Sequence, residues 1–288
     1  MKVGIALAGG GLKGIAYIGA MRAFEELGIK FDCIAGTSSG AMMATLYASG
    51  YSCDEIKEIV FRSYKKLIKI EKRPIISSVG TYLTKKKINI KGLIPGERLE
   101  NLIQEIVSNQ NCSNIADVKM PLAVATVDTV STKECIFMSN KPKRKSEGID
   151  YIYDIPLGKA VRSSMAFPGI FTPSKYKSYN FIDGGTKDNL PINALKDMGA
   201  DVTIGLSFKL DDYNIEEENV LGTILRTVDI FALKDVLKAQ KEANLAIEID
   251  AKGTSLMEID DIDKCINVGY NAIMSNKEKI LKTINKTT

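Results

Sequence analysis

The chain has 288 residues, 45% of them hydrophobic and 26% charged, with a formal net charge of +4, no tryptophan and no histidine. This is globular composition, with enough chain to bury a core without staples. Without histidine there is no Ser-His-Asp triad, no Cys-His dyad, no H-E-x-x-H zinc site and no histidine-ligated haem, so acid–base chemistry falls to Asp, Glu, Lys, Tyr or Cys.

The five cysteines, Cys33, Cys53, Cys112, Cys135 and Cys265, are odd in number and hold no C-x-x-C pair. That predicts reduced thiols and, with no readable signal peptide, a cytoplasmic protein. The longest uncharged run, Cys33–Cys53, contains three Gly, four Ser and two Thr, too polar for a bilayer helix. Charge is uneven. Lys65–Lys91 holds nine Lys or Arg against one acid, Glu71, a local +8 that leaves −4 for the rest. Such a stretch is either a solvated face or a contact with an anionic surface, the headgroups of a membrane met peripherally or a nucleic acid.

In chain order, Lys2–Ala8 reads as a buried strand, Lys13–Leu27 as a helix stopped by Gly28, Phe31–Ala35 as a second strand and Ser39–Ser49 as a small-residue helix ended by Gly50. Strand–helix–strand–helix with tight turns is the pattern of a parallel sheet covered on both faces. Asp54–Ile70 and Pro95–Val107 are amphipathic helices, and the basic Arg73–Gly92 between them reads as a surface insertion or flap, at about residues 70–95 of one continuous domain over 1–288. Pro121–Asp128 and Glu134–Met138 are strands, arranged as a hairpin. Lys141–Lys145 is a basic loop, Asn180–Asp183 a short strand running into Gly184-Gly185, and Val202–Phe208 another strand. After the acidic loop Asp211–Glu218 come a helix at Val220–Asn244, a strand at Ala246–Asp250 and a closing helix at Asp263–Asn285.

Gly36-Thr37-Ser38-Ser39-Gly40 fits G-x-S-x-G between a strand and a helix. A nucleophilic serine needs that sharp turn for exposure, flanking glycines for close packing, and the helix N-terminus beside the developing oxyanion. Ser39 is placed to cap the helix, which leaves Ser38 as the nucleophile. Its base must be a carboxylate or a lysine. Asp183 is the candidate, because it ends an apolar strand and the carboxyl ends of parallel strands carry the chemistry of such sheets; a D-G-G is also an ordinary turn.

Gly9-Gly10-Gly11-Leu12-Lys13-Gly14 matches G-x-G-x-x-G through Gly9, Gly11 and Gly14. A dinucleotide site wants an acid at the end of the next strand. Here Asp32 stands at that strand's start, and its end carries the serine turn. A Walker A loop is excluded because Gly14, not Ser or Thr, follows Lys13. The remaining reading is an oxyanion hole, in which consecutive glycines let backbone N–H groups converge.

Together, GGGLKG at Gly9–Gly14, GTSSG at Gly36–Gly40 and DGG at Asp183–Gly185 resemble the patatin-like phospholipase family. Ala160-Val161-Arg162-Ser163-Ser164 through Phe167-Pro168 and the later Asn189-x-Pro191 support it, over about residues 2–210. The resemblance implies a three-layer α/β/α fold with a mostly parallel central sheet. It also implies a Ser38–Asp183 dyad hydrolysing fatty-acyl esters of lipids without metal or cofactor. The resemblance further implies that the loop of Gly9, Gly10 and Gly11 supplies the oxyanion hole, with the N–H groups of Gly10 and Gly11 foremost; the elbow geometry adds that of Ser39, and Lys13 stands either to attract a headgroup phosphate or only to cover the helix start. The competing readings are an esterase, thioesterase or Ser/Lys amidase on a non-lipid substrate, or a nucleotide- or lipid-binding module reusing the glycine loop. No nucleic-acid recognition motif is present, and the sequence leaves oligomeric state open.

Overall fold

The computed structural model describes residues 1–71, 94–210, 220–252 and 260–286. The basic Arg73–Gly92 segment and the acidic Asp211–Glu218 loop therefore lie outside the described residues. The elements, in chain order, are β1 (Val3–Leu7), a 3-10 turn (Gly11–Ile15), α1 (Ala16–Glu26), β2 (Cys33–Thr37), α2 (Ser39–Ala48), α3 (Cys53–Glu71), α4 (Glu97–Ser108), β3 (Leu122–Asp128), β4 (Glu134–Met138) and β5 (Ile149–Ile152). They continue with α5 (Leu157–Ser164), β6 (Ser174–Tyr176), β7 (Tyr179–Asp183), a 3-10 turn (Gly184–Thr186), α6 (Ile192–Met198), β8 (Val202–Phe208), α7 (Val220–Glu242), β9 (Leu245–Ile249), α8 (Asp260–Ser275) and α9 (Lys277–Asn285).

The strands form one sheet in the order β5-β4-β3-β2-β1-β8-β9, with β6 and β7 off this path. β3, β2, β1, β8 and β9 are mutually parallel, and β4 returns antiparallel to β3 as the hairpin reading expected. Alternation along the strands divides the core. Ile5, Leu7, Ile34, Leu122 and Val124 face the layer containing α1, α2, α5 and α8, whereas Ala6, Ala8, Ala35, Ala123 and Ala125 face α6 and α7. The aliphatic face supplies most of the hydrophobic stabilisation, about 1.5–3 kcal/mol for each fully buried Ile or Leu. The alanine face lets α6 lie close to the sheet. All five cysteines are buried, and no disulfide joins them among the described residues. No described helix is long and apolar enough to cross a membrane.

Some boundaries differ from the sequence reading. The first helix opens with the 3-10 turn, because Gly11 takes φ +58 and starts a tighter coil. The closing helix is two, α8 and α9, broken at Asn276, whose side-chain amide donates to Ala272 O at 2.9 Å. α8 lies directly on α1. A Cβ on Gly19 would meet Ile266 O at 1.8 Å and one on Gly269 would meet Ala16 O at 1.8 Å, so the two backbones touch at paired glycines.

Candidate active site

The site is built where three connections reach the same end of the sheet. β2, buried along its whole length, delivers Ser38 with φ 54 and ψ −122. A residue with a Cβ is held in that region only by its surroundings, at roughly 1–3 kcal/mol. Three contacts hold it. Ser38 N–H donates to Ser164 Oγ at 2.8 Å, Ser164 Oγ donates to Ala125 O at 2.6 Å, and Met42 N–H donates to Ser38 O at 3.1 Å. The flanking glycines are required by space. A Cβ on Gly36 would stand 2.5 Å from Gly40 C and O, and one on Gly40 would stand 2.2 Å from Leu7 O.

Ser38 itself occupies the N-cap of α2 and makes no side-chain cap bond, and the first turn of α2 carries no acid. The expected capping role of Ser39 is therefore corrected. Its hydroxyl instead accepts the Gly10 N–H at 3.1 Å, tying the glycine loop to the serine turn. The first N–H groups of α2, Ser39 among them, have no intrahelical acceptor, and the positive end of the helix dipole is uncapped beside Ser38.

Asp183 arrives by a route the sequence reading placed wrongly. β7 is not a parallel strand. It pairs antiparallel with β3, Asp183 opposite Thr126, on the same edge of β3 that β2 occupies as far as Thr37 opposite Ala125. The ends of β2 and β7 thus meet head to head along neighbouring residues of β3, which brings Ser38 and Asp183 together. Gly184 fits against this edge, where a Cβ would stand 2.4 Å from Ala125 O. Asp183 is only 1% exposed. Its Oδ1 accepts the Gly185 N–H at 2.8 Å, and its buried Oδ2 has no hydrogen-bond partner. Burial pushes its carboxyl up to about 6, against the opposing pull of the Gly185 N–H and the nearby Ser38 hydroxyl. The two side chains are thus neighbours without a completed bond.

The four expected donors, three in the glycine loop and Ser39 in the serine turn, are unequally engaged. Gly9 N–H is already engaged, donating to Asn189 Oδ1 at 3.0 Å and leaning on Asn189 O at 3.3 Å, so this expected oxyanion donor serves as an anchor. Gly10 N–H is engaged by Ser39 Oγ. Gly11 N–H and Ser39 N–H carry no bond to a protein acceptor among the described residues. Gly14 packs against Ser39, where a Cβ would stand 2.7 Å from Ser39 Cβ, and Gly185 against Asn189, where a Cβ would stand 3.0 Å from its Oδ1. Lys13 is half-buried in the 3-10 turn, its N–H donating to Gly10 O at 3.2 Å. Glu134 and Asp188 are close enough to act on each other. Burial raises both carboxyls, and Glu134 raises Asp188 further.

A groove of about 590 Å³ runs between α3 and α4, lined by Tyr51, Asp54, Glu55, Glu58, Arg62 and Glu105 among others. It contains neither Ser38 nor Asp183 and is lined by four acids, so it lies apart from the candidate site.

Comparison with known proteins adds the lineage. A family model described as patatin-like phospholipase matches residues 5–196. The chain belongs to the patatin-like phospholipase family. Among curated relatives of this patatin-like protein, an uncharacterised NTE-family protein of Mycobacterium tuberculosis is 28% identical over 206 residues, covering 72% of this chain and 49% of that protein. An uncharacterised protein of Acanthamoeba polyphaga mimivirus is 30% identical over 229 residues, 77% of this chain and 69% of that protein. A lysophospholipase from Meyerozyma guilliermondii is 27% identical over 204 residues, 71% of this chain and 12% of that protein. The chain thus spans about half the length of its mycobacterial relatives. VipD from Legionella pneumophila, at TM-score 0.58 and 14% identity over 95% of this chain and 66% of that one, shares the patatin-like α/β fold.

Three residues that support this patatin-like site carry no obvious sequence signal of their roles. Ser164 and Asn189 were visible only as parts of supporting motifs. Phe208 lies against the glycine loop, where a Cβ on Gly10 would stand 2.3 Å from its ring. Ser164→Ala removes the acceptor of Ser38 N–H and the donor to Ala125 O together. It is expected to cost about 1–3 kcal/mol and to lower kcat more than it raises KM, because the turn that aims Ser38 loosens. Urea denaturation beside steady-state kinetics checks both; an unchanged kcat would remove Ser164 from the positioning of the turn.

Proposed function

We propose that this protein is a serine acyl hydrolase that cleaves fatty-acyl esters of phospholipids or lysophospholipids, as one acyl-hydrolase domain over residues 1–288. The observation that carries this reading is the strained Ser38, set on the uncapped end of α2 against a buried Asp183 whose Oδ2 has no partner. Family membership supports the lipid substrate class, and the Meyerozyma relative carries the name lysophospholipase.

In the proposed cycle, Ser38 Oγ attacks the ester carbonyl as its proton passes to Asp183 Oδ2. The tetrahedral oxyanion is met by the N–H groups of Gly11 and Ser39, and by that of Gly10 when the Ser39 hydroxyl turns away. Collapse of the intermediate returns the proton to the departing alcohol or lysolipid. A water molecule then attacks the acyl-serine, gives its proton to Asp183, and the fatty acid leaves as Ser38 is restored. Asn189 and Ser164 hold the two loops in register through Gly9 and Ser38. A carboxylate serves as base here because Oδ2 is desolvated, so that accepting a proton relieves a buried charge.

The test is fatty-acid release from mixed phospholipid vesicles. Wild type is expected to release fatty acid, and Ser38→Ala to lose roughly 10³-fold or more of the rate. If wild type releases nothing but Ser38 is labelled by a fluorophosphonate, the substrate is a non-lipid ester. If neither happens, the hydrolase reading is wrong.

A further inference from the structure

Most exposed large apolar side chains of the described residues stand toward the catalytic end or on one helix. Leu12, 55% exposed, projects from the glycine loop after β1, and Val130, 71% exposed, from the turn after β3. Both follow the C-terminal ends of parallel strands, the end that carries Ser38. The others are Ile230, Phe231 and Leu237 on α7, together with Met1 at the chain start.

The position of α7 is set by its contacts. Just past its C-terminus, Asn244 Oδ1 accepts the Thr203 N–H at 2.8 Å, near the start of β8. Gln240 already reaches Ser207 Oγ at 3.0 Å, near the end of that strand. At 1.5 Å per residue, the helix from Val236 backward therefore rises past the strand ends. It packs there on the Gly184–Thr186 turn that follows Asp183. Ala232 and Val236 face the protein and are buried. On the opposite side Ile230, Phe231, Lys234, Leu237, Lys238 and Lys241 recur at helical spacing, all exposed. The acids of the helix fall elsewhere. Asp229 is exposed but by spacing lies off the stripe, Asp235 acts on the Glu134–Asp188 pair, and Glu242 sits at the foot of the helix beside Lys196 at 3.9 Å and Lys238 at 3.8 Å.

We infer that this stripe of α7, continued by Leu12 and Val130, is a docking surface for an anionic lipid bilayer, which it holds against the mouth of the Ser38 site. The inference rests on the acyl-hydrolase reading for its purpose but not for its chemistry. Apolar side chains interleaved with lysines suit the headgroup boundary, where Phe, Ile and Leu enter the acyl region and the ammonium groups meet lipid phosphates. A second copy seated through the same stripe would oppose lysine to lysine across a two-fold axis, which disfavours self-association there. The α7 surface shares no residue with the basic Lys65–Lys91 stretch, most of which lies outside the described residues.

The experiment is co-sedimentation of the full chain with phosphatidylcholine vesicles, with and without phosphatidylglycerol, beside turnover of a soluble short-chain ester. Wild type and Ser38→Ala are expected to bind the phosphatidylglycerol vesicles equally, and less as salt rises. Ile230→Asp/Phe231→Asp should weaken binding at least roughly tenfold. Lys234→Gln/Lys238→Gln/Lys241→Gln should abolish the preference for phosphatidylglycerol. Soluble-ester turnover should be unchanged in both stripe variants. The inference is overturned if wild type binds neither vesicle, if the stripe variants bind as wild type does, or if light scattering shows a wild-type dimer that the stripe variants dissolve. Stripe-dependent binding by a wild type that neither releases fatty acid nor is labelled at Ser38 by a fluorophosphonate would instead sink the hydrolase reading and leave the docking surface standing.

Discussion

The rate of acyl transfer is expected to rise through a pH of about 6, where Asp183 gives up its proton, and to show no second step attributable to histidine, of which the chain has none. The base must be ionised to take the Ser38 proton, so the acid limb belongs to Asp183. Replacing it by Asn should lower kcat/KM by roughly 10²–10⁴-fold, the usual worth of a general base, and remove the limb from what activity remains. The same group has the opposite effect on stability. Its carboxyl titrates near 6 in the folded chain, against an ordinary value of 3.8. Between those values the folded state binds more protons than the unfolded state, so stability falls as pH rises through that window and stays lower above it. The cost of the ionised, buried carboxylate is on the order of 2–3 kcal/mol. Asp183→Asn carries no such charge. Denaturation at pH 4 and pH 8 should therefore show the variant gaining on wild type by about that amount at the higher pH. Any constant effect of the amide cancels between the two conditions. A stability difference that does not change with pH would mean that Asp183 is not the desolvated base described here.

Gly40→Ala is expected to unseat the site and much of the fold with it. The new methyl would stand 2.2 Å from Leu7 O and 2.6 Å from Ala8 O. Both are backbone atoms at the end of β1, where the glycine loop begins. Neither can move aside as a flexible side chain would, so α2 must withdraw from the sheet, at about 3 kcal/mol or more. Ser38 rides on the first turn of α2 and moves with it, so hydrolysis should be lost together with stability. Gly11→Ala is the contrasting change. A Cβ there meets nothing within 4 Å, and the cost is confined to the φ of +58, about 1 kcal/mol. Thermal melts of both variants beside wild type check the contrast. Equal melting temperatures would show that α2 and β1 tolerate separation.

The sequence alone determined what is local. β1, α2, β3, β4 and β8 are legible because runs such as Val202–Phe208 are apolar and end in turn residues, and because the small residues of Ser39–Ala48 can pack as a helix against a sheet. The serine turn that carries the proposed nucleophile, Ser38, was legible for the same reason, since strand, glycine, serine, glycine and helix follow one another within a few residues. The lack of histidine, a matter of composition, then restricted the base to a carboxylate or lysine. The family resemblance, carried by three short motifs in order, is the one that the family model places over residues 5–196.

Tertiary structure decided what depends on distant pairing. Nothing within Tyr179–Asp183 says that this strand runs antiparallel to β3 and ends where β2 ends, yet that register alone brings Asp183 to Ser38. Which glycine N–H groups stay open was likewise settled by residues far along the chain. Asn189, 180 positions from Gly9, occupies one donor, and Ser39 occupies the next in place of capping its own helix. The C-terminal helix α8, which carries no motif, acquires its place because Gly19 and Gly269 let two backbones touch. Hydrophobic period and turn chemistry act over a few neighbouring residues and can be read from them. Strand register, donor occupancy and the crossing of helices are set by contacts between segments that only the folded chain brings together.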